Sequence, residues 1–241
     1  MKKVKSWYLP DNEHHFEREM TSKNVDGYQV PSRKATLKKI KKLPGFIPLL
    51  ALDVGANVGF WTRDLARIFK KVNAYEPLPE NIECLINNVP DKNVFVKKFA
   101  LGDKTEVKEL MIPQNGNCGS ATFQDSNIVD NCEVNRLDVL VKTLDNELAS
   151  ETTEMLQNCF IKIDTQGHEN EVLKGAETFV VSSSGGAVFS GIDVTIKEGT
   201  GIAHDKILVG TENQIESGVA LYSHQITISQ ASSRDCNFPI S

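Results

Sequence analysis

Long hydrophobic runs are missing from this sequence. Its 241 residues include no apolar stretch near the roughly 20 residues that a helix needs to cross a bilayer. The basic cluster at the start is followed by acidic residues, among them Asp11, Glu13 and Glu17, rather than by the apolar segment of a secretory signal. We therefore expect no membrane span, no secretory signal and a cytoplasmic location.

Cysteine pairs and a strong charge of one sign are also missing. Five cysteines, scattered and without a CxxC pair, predict neither a disulfide framework nor a zinc site. A formal net charge of −5 argues against a broad nucleic-acid-binding surface, so we expect no nucleic-acid partner. His14 and His15, beside Glu13 and Glu17, are either metal ligands or, as we favour, exposed residues, so no metal site is predicted.

What the sequence does contain, from residue 49 onwards, is an alternation of strand and helix patterns. A short apolar run at 49–54 ends in glycines, which is typical of a strand buried on both faces. Trp61, Leu65 and Phe69 then recur with helical spacing. Further strands are predicted at 72–76, 94–101 and 160–164, with helices from Pro79 and around 172–179. This alternation predicts an α/β fold with a Rossmann-like, mainly parallel sheet and helices on both faces.

A polar interruption separates the third and fourth predicted strands. Residues 106–112 and 133–141 have extended patterns, and Asp145 is the expected N-cap of a short helix. Between the two extended segments, residues 114–131 are rich in Asn, Gly, Ser and Asp and form a polar loop. This polar loop is either a lid over a site or a plain surface excursion.

The patterns divide the chain into three parts. We expect a core domain at residues 47–181, an N-terminal extension at 1–46, and a divergent segment at 182–241 that closes the sheet. The divergent segment begins with a Gly/Ser break at 182–186, and strand-like alternation follows at 187–196 and 219–229.

The N-terminal extension carries a basic run. Residues 33–42 hold six basic residues and no acid. This run is either a solvated helix face, with Leu37, Ile40 and Leu43 turned inward, or a platform for an anionic substrate.

A glycine turn at residues 55–59 lies between the first predicted strand, which ends Asp53-Val54, and the first helix of the core. Its glycines let the backbone turn sharply and approach a ligand, and the following helix presents main-chain N–H groups. Glu76 ends the next strand, where a carboxylate can accept hydrogen bonds from both hydroxyls of an adenosine ribose. Because Asn57 stands where a dinucleotide fingerprint has its second glycine, the turn favours a nucleoside without phosphates, such as S-adenosylmethionine.

Five blocks of the sequence together resemble the FkbM-type methyltransferase family. In order they are ALDVGANVGF at 51–60, YEPLPEN at 75–81, ALGD at 100–103, VKTLD at 141–145, and IKIDTQGHE at 161–169 with VLKGA at 172–176. The resemblance covers roughly residues 48–180 and implies a class I methyltransferase fold, S-adenosylmethionine as methyl donor, and transfer to a hydroxyl of a sugar, glycan or small natural product.

The resemblance also implies roles for individual residues. The methionine part of the cofactor would be lined by residues at the glycine turn, namely Asp53, Gly55, Ala56, Asn57 and Gly59. Glu76 would hold the ribose, Ala100 and Leu101 would lie beside the adenine, and Asp164 completes the expected cofactor-binding set.

A second cluster of polar residues follows the fourth predicted strand, at the sheet edge where α/β folds bind ligands. Methyl transfer requires the acceptor oxygen to be aligned and its proton to be removed. Asp164 and His168 are the candidates for removing that proton, and Glu169 and Lys162 would orient them. The alternatives are that His168 and Glu169 face solvent or the helix N-terminus and that Asp164 is structural.

Two other functions remain open from the sequence. An N-methyltransferase acting on protein or nucleic acid is disfavoured, because Asp164-Thr-Gln-Gly167 replaces the Asn/Asp-Pro-Pro-Tyr type of tetrapeptide. A scaffold that keeps the fold without turnover is the other alternative. Trp61 is expected in the core rather than stacked on a cofactor. The predicted partner is a small-molecule or glycan acceptor.

Overall fold

The structure, a computed structural model, describes residues 1–43, 45–128, 132–176 and 188–190. The strands are β1 (Lys2–Val4), β2 (Trp7–Leu9), β3 (Leu50–Val54), β4 (Lys71–Tyr75), β5 (Val94–Lys97), β6 (Ala100–Leu101), β7 (Glu106–Pro113), β8 (Val134–Lys142), β9 (Cys159–Ile163) and β10 (Val188–Ser190). The helices are α1 (His15–Ser22), α2 (Val30–Ile40), α3 (Phe60–Ala66), α4 (Pro79–Asn88), α5 (Leu144–Leu148), α6 (Thr153–Gln157) and α7 (Glu169–Lys174), with a 3-10 turn at Asp125–Asn127.

A five-stranded parallel sheet forms the centre of the molecule, in the spatial order β10-β9-β3-β4-β5. The chain passes outward from β3 through β4 to β5 and later returns to the other side of β3 as β9. The order therefore reverses between β3 and β9, which is the position where open parallel sheets form a ligand crevice. Strands β3, β4 and β9 lie within one residue of their predicted bounds.

Apolar side chains cover both faces of this sheet because successive strand residues alternate between the faces. On one face, Leu52 and Ile161 pack with Leu144 of α5 and Val172 of α7. On the other face, Ala51 packs with a second set, which includes Ile40 of α2, Trp61 and Leu65 of α3, Leu85 of α4 and Phe160 of β9. The predicted α/β architecture, with a mainly parallel sheet and helices on both faces, is confirmed.

The third predicted strand, at 94–101, is wrong as one element. Only β5 joins the parallel sheet, while β6 pairs with β8 in a separate sheet of order β6-β8-β7. The chain changes direction at Phe99, whose ring turns into the core and lies 5.8 Å from the ring of Tyr75. Ala100 then pairs with Val141 of β8. The strand ends at Lys97, and packing of the Phe99 ring into the core separates β5 from β6.

The expected N-cap at Asp145 is also wrong. Thr143 caps α5, because its hydroxyl oxygen accepts a hydrogen bond from the main-chain N–H of Asn146 at 3.3 Å. Asp145 lies two residues further along, in the first turn of α5, where its negative charge interacts favourably with the positive end of the helix dipole.

The N-terminal extension packs against the core. The β1–β2 hairpin and α1 bury Trp7, Leu9, Phe16 and Met20 in a cluster with Phe60. The basic run lies on α2 and continues just beyond it, with Ile40 buried and Leu37 and Leu43 packed against the core, as the helix-face hypothesis predicted.

Arg33 departs from the solvated face predicted for the basic run. It is buried, and its guanidinium donates to the main-chain oxygen of Phe60 at 2.6 Å. The carboxylate of Asp64 lies 3.4 Å away from the guanidinium. Arg33 therefore ties α2 to α3 instead of facing solvent.

Parts of the predicted C-terminal pattern lie outside the described residues, including the break at 182–186 and the alternation at 219–229. Within 187–196, residues 188–190 form β10, parallel to β9. Among the described helices, none has the length and apolar character that crossing a bilayer requires.

Candidate functional site

Two adjoining cavities open at the carboxyl edge of the sheet, where β3 and β9 end. Their shared lining consists of Gly55, Asn57, Gly119, Asp164 and Gln166. The apolar cavity is further lined by Val54, Tyr75, Glu76, Pro77, Leu78, Asn81, Ala100, Leu101, Leu110, Cys118, Ala121, Phe123, Thr165 and His168. The polar cavity is further lined by His15, Phe16, Tyr28, Gln29, Ala56, Phe60, Trp61, Asn117 and Lys162.

The glycine turn contributes Gly55 and Asn57 to the lining of both cavities. The main-chain N–H groups of Gly55 and Ala56 both donate to the oxygen of Tyr75, at 3.1 and 3.0 Å, which closes the turn over β4. Gly55 has a φ of +73°, and Asn57 also adopts a positive φ, of 52°. The side-chain oxygen of Asn57 accepts from the N–H of Val58 at 2.6 Å, which supports this backbone conformation.

Gly59 lies outside the lining of both cavities. A β-carbon on Gly59 would lie 2.6 Å from a methyl carbon of Leu85. This glycine therefore allows α3 and α4 to pack closely, and the structure does not bring it to the cavities with Gly55, Ala56 and Asn57.

Glu76 lies at the end of β4 in the wall of the apolar cavity, with only 5% of its surface exposed. Its carboxylate accepts hydrogen bonds from the N–H of Asn57 at 2.8 Å, the N–H of Leu78 at 3.0 Å and the amide of Asn81 at 3.3 Å. Burial raises the pKa of Glu76, although these donors oppose the rise. Since a carboxylate offers about four lone-pair sites, Glu76 retains acceptor capacity toward the cavity.

Asp53 and Lys162 form a buried ion pair beneath the glycine turn, with 3.2 Å between the ammonium and the carboxylate. Asp53 also accepts from the hydroxyl of Thr62 at 2.6 Å, and Lys162 donates to the main-chain oxygen of Gly55 at 2.7 Å. Burial alone would lower the pKa of Lys162, but the carboxylates of Asp53 and Asp164 outweigh this effect and raise it. Lys162 thus reaches the polar cavity, whereas Asp53 lies behind the turn and lines neither cavity.

Asp164 follows β9 and lines both cavities. Its main-chain N–H donates to the oxygen of Val54 at 3.1 Å, which holds it beside the glycine turn. One carboxylate oxygen accepts from the side-chain amide of Gln166 at 2.8 Å. Asp164 is half-buried, so its carboxylate remains accessible from the site.

His168 is 3% exposed and lines the apolar cavity only. Its ring centroid lies 4.6 Å from that of Phe123. Burial is the main cause that lowers its pKa, and the nearby charge of Lys108 lowers it further. The alternative that His168 faces solvent is wrong, because the polar loop covers the imidazole through Phe123.

The side chain of Glu169 forms hydrogen bonds with the backbone that precedes α7. Its carboxylate accepts from the N–H groups of Thr165 and Gly167, at 2.8 and 3.2 Å. It is absent from the lining of both cavities, so the structure does not bring it together with Asp164 and Lys162.

The described part of the polar loop lies across the site. The main-chain oxygen of Cys118 accepts from the side-chain amides of Asn57 and Asn81, both at 3.2 Å. Further along, Thr122 and Asn127 donate to the oxygen of Gln166 at 2.8 and 2.6 Å. The loop therefore bridges the glycine turn and the turn after β9, so of the two alternatives the plain surface excursion does not hold.

Sequence reasoning missed the cavity wall formed by the N-terminal extension. His15, Phe16, Tyr28 and Gln29 precede the recognisable motifs, and their spacing carries no signal for a site. Trp61 has both a core and a lining role, since it is buried against Phe160 and lines the polar cavity. Within the described ranges, His14 and His15 belong to no cluster of three or more potential metal ligands.

Comparison with known proteins shows which family this chain resembles. The model of the methyltransferase FkbM domain matches residues 53–185, which is more than half of the chain. The crystal structure of methyltransferase FkbM from Methylobacillus flagellatus KT is similar, with 19% sequence identity and a TM-score of 0.42, over 62% of this chain and 34% of that one. A SAM-dependent methyltransferase from Leishmania major is similar with 25% identity and a TM-score of 0.25, over 27% of this chain and 26% of that one. No curated protein matches. The matched part thus spans about a third or less of each solved structure.

Proposed function

The chain belongs to the FkbM methyltransferase family, and from this premise we propose that it transfers a methyl group from S-adenosylmethionine to a hydroxyl of a small-molecule or glycan acceptor. The observation that carries the proposal is the position of Asp164, which lines both an apolar cavity with a buried carboxylate in its wall and the adjoining polar cavity. A group-transfer enzyme needs such a junction between donor and acceptor.

The apolar cavity suits the adenosine part of the donor. Glu76 would accept hydrogen bonds from the ribose hydroxyls, while Ala100 and Leu101 would lie against the adenine. The methionine part would lie at the junction of the two cavities, held by Gly55 and Asn57, which line both, with Ala56 beside them on the polar side. When bound, S-adenosylmethionine supplies a methyl group activated by its sulfonium.

We propose Asp164 as the residue that acts on the acceptor. Its carboxylate would take the proton of the acceptor hydroxyl, which makes the oxygen a stronger nucleophile in the transition state. The side-chain amide of Gln166 donates to the carboxylate at 2.8 Å, and Lys162 lines the same polar cavity. His168 lines only the apolar cavity, so we propose that it flanks the adenosine instead of removing the proton.

The test is binding of S-adenosylhomocysteine, measured by isothermal titration calorimetry on wild type and on Glu76→Gln. We expect Glu76→Gln to lose about 1–3 kcal/mol of binding free energy, because charge-assisted hydrogen bonds to the ribose are removed. Glu80→Gln is the matched control, since Glu80 lies exposed on α4. Binding of NAD with no response to S-adenosylhomocysteine would refute the proposal.

A further inference from the structure

The polar cavity is completed by residues that lie outside the family match. His15, Phe16, Tyr28 and Gln29 line one side of it, and all four precede residue 53, where that match begins. The rest of the lining includes Lys162, Asp164 and Gln166 at the sheet edge. A cavity assembled from both parts of the chain requires the N-terminal extension for its shape.

Aromatic rings form a continuous surface in this part of the cavity. The ring of Tyr28 lies 5.7 Å from that of His15 and 4.7 Å from that of Phe16. Phe16 in turn lies 5.2 Å from Phe60 of α3, measured between ring centroids. Gln29 continues the wall, and its side-chain oxygen accepts from the indole N–H of Trp61 at 3.2 Å.

The wall formed by His15, Phe16, Tyr28 and Gln29, here called the N-terminal wall, is joined to the polar loop by hydrogen bonds. Glu13 is fully buried, and its two carboxylate oxygens accept from the N–H groups of Phe16 at 2.5 Å and Cys118 at 2.6 Å. The N–H groups of His14 and His15 both donate to the oxygen of Gly116, at 2.7 and 3.0 Å. Since these contacts join the wall to the loop that crosses the site, the wall is held in place and can select what enters.

The chemistry of the lining favours an uncharged acceptor. The side chains of Asn117, Gln166 and Gln29 are amides, which pair with hydroxyl groups as donors and acceptors. Lys162 is already paired with Asp53, and the carboxylate of Asp164 also lines this cavity, so the lining disfavours an anionic acceptor. A lining that combines aromatic rings with amides matches a ring compound that has an apolar C–H face and several hydroxyls.

We propose that the polar cavity is the acceptor site, that its ligand is a neutral polyhydroxylated ring of the pyranoside type, and that Tyr28 and His15 contact this ring. The inference rests on the proposed function, since Asp164 must meet the acceptor hydroxyl at the junction of the two cavities. It assigns acceptor selection to the N-terminal extension.

The experiment is saturation-transfer difference NMR on the wild-type chain saturated with S-adenosylhomocysteine. The probes are the methyl glycosides of glucose, galactose, mannose and fucose, each titrated to obtain a dissociation constant. We expect at least one glycoside to bind, and Tyr28→Ala and His15→Ala to weaken that binding at least about fivefold through loss of ring contact. Tyr8→Ala is the matched control, because Tyr8 lies on β2 of the same extension and lines neither cavity.

Calorimetry with S-adenosylhomocysteine on each variant separates the two proposals. Unchanged affinity for this ligand with weakened glycoside binding supports the inference. Glycoside binding that is equal in wild type and both variants overturns it, and so does a wild-type complex that binds none of the glycosides. If Tyr28→Ala does not fold, His15→Ala decides the question alone. A wild type that binds no S-adenosylhomocysteine refutes the proposed function itself.

Discussion

The main-chain oxygen of Asp164 lies 2.0 Å from the position that a β-carbon on Gly55 would occupy. The two residues follow the neighbouring parallel strands β3 and β9, so the ends of these strands pack backbone against backbone. Gly55 also has a φ of +73°, a conformation that costs an L-residue energy even where space is available. The junction between the two cavities therefore depends on the absence of a side chain at this position.

Gly55→Ala is expected to abolish measurable S-adenosylhomocysteine binding, because a β-carbon must push the turn away from Asp164. Gly116→Ala is the matched control, since Gly116 has a φ of +72° but its β-carbon would come no closer than 3.2 Å to another atom. The control should lose only about 1–2 kcal/mol of stability from the left-handed backbone. Calorimetry measures S-adenosylhomocysteine binding, and thermal unfolding measures stability. Equal binding in the two variants would contradict a steric clash between a β-carbon at residue 55 and Asp164.

Lys162→Met is expected to lower the free energy of unfolding by about 3–5 kcal/mol, because it leaves the carboxylate of Asp53 buried without its cation. Urea unfolding followed by circular dichroism measures this loss. The double variant Asp53→Asn with Lys162→Met should recover much of the stability, since no charge then remains buried. If Lys162→Met lowers the free energy of unfolding by less than about 1 kcal/mol, the ion pair contributes no more than an exposed pair does, and this result would contradict its burial.

Asp164→Asn is expected to reduce methyl transfer by roughly 10² to 10⁴-fold while S-adenosylhomocysteine affinity stays nearly unchanged, because asparagine keeps the shape but cannot take a proton. Transfer of a labelled methyl group to the glycoside that binds wild type gives the rate. Asp138→Asn, on the exposed side of β8, is the matched control. If His168→Asn shows the loss and Asp164→Asn does not, the proton is removed from the adenosine side and the assigned roles are reversed.

His168 should make stability depend on pH in the acidic range. As pH falls through 6.5, the ordinary pKa of histidine, the unfolded chain binds a proton, while the buried ring, whose pKa is lowered, does not. Stability is therefore lost as pH falls below this value, and the loss ends once pH passes the pKa of the folded state. Urea unfolding at pH 7.5 and 5.5 should show a smaller loss for His168→Asn than for wild type. Identical losses would show that the ring is protonated in the folded protein.

The elements that carry the motifs could be predicted from the sequence, because their signals are local. The apolar run of β3, the glycine turn and the helical spacing around Leu65 each concern residues that lie close together in the chain. Apolar runs and periodic spacings of this kind indicate the type of element and its buried face before any tertiary contact is known. The same reasoning predicted the position of Glu76 at the end of β4.

Only the tertiary structure decided which side chains share a cavity. Asp164 and His168 are close in sequence, yet Asp164 lines both cavities and His168 lines only the apolar one, because Phe123 of the polar loop packs against the imidazole. Tyr28 lines the polar cavity with its ring packed against His15 and Phe16, whose segment the buried carboxylate of Glu13 joins to the polar loop. Contacts between distant segments depend on how elements cross in space, and local spacing carries no information about that crossing.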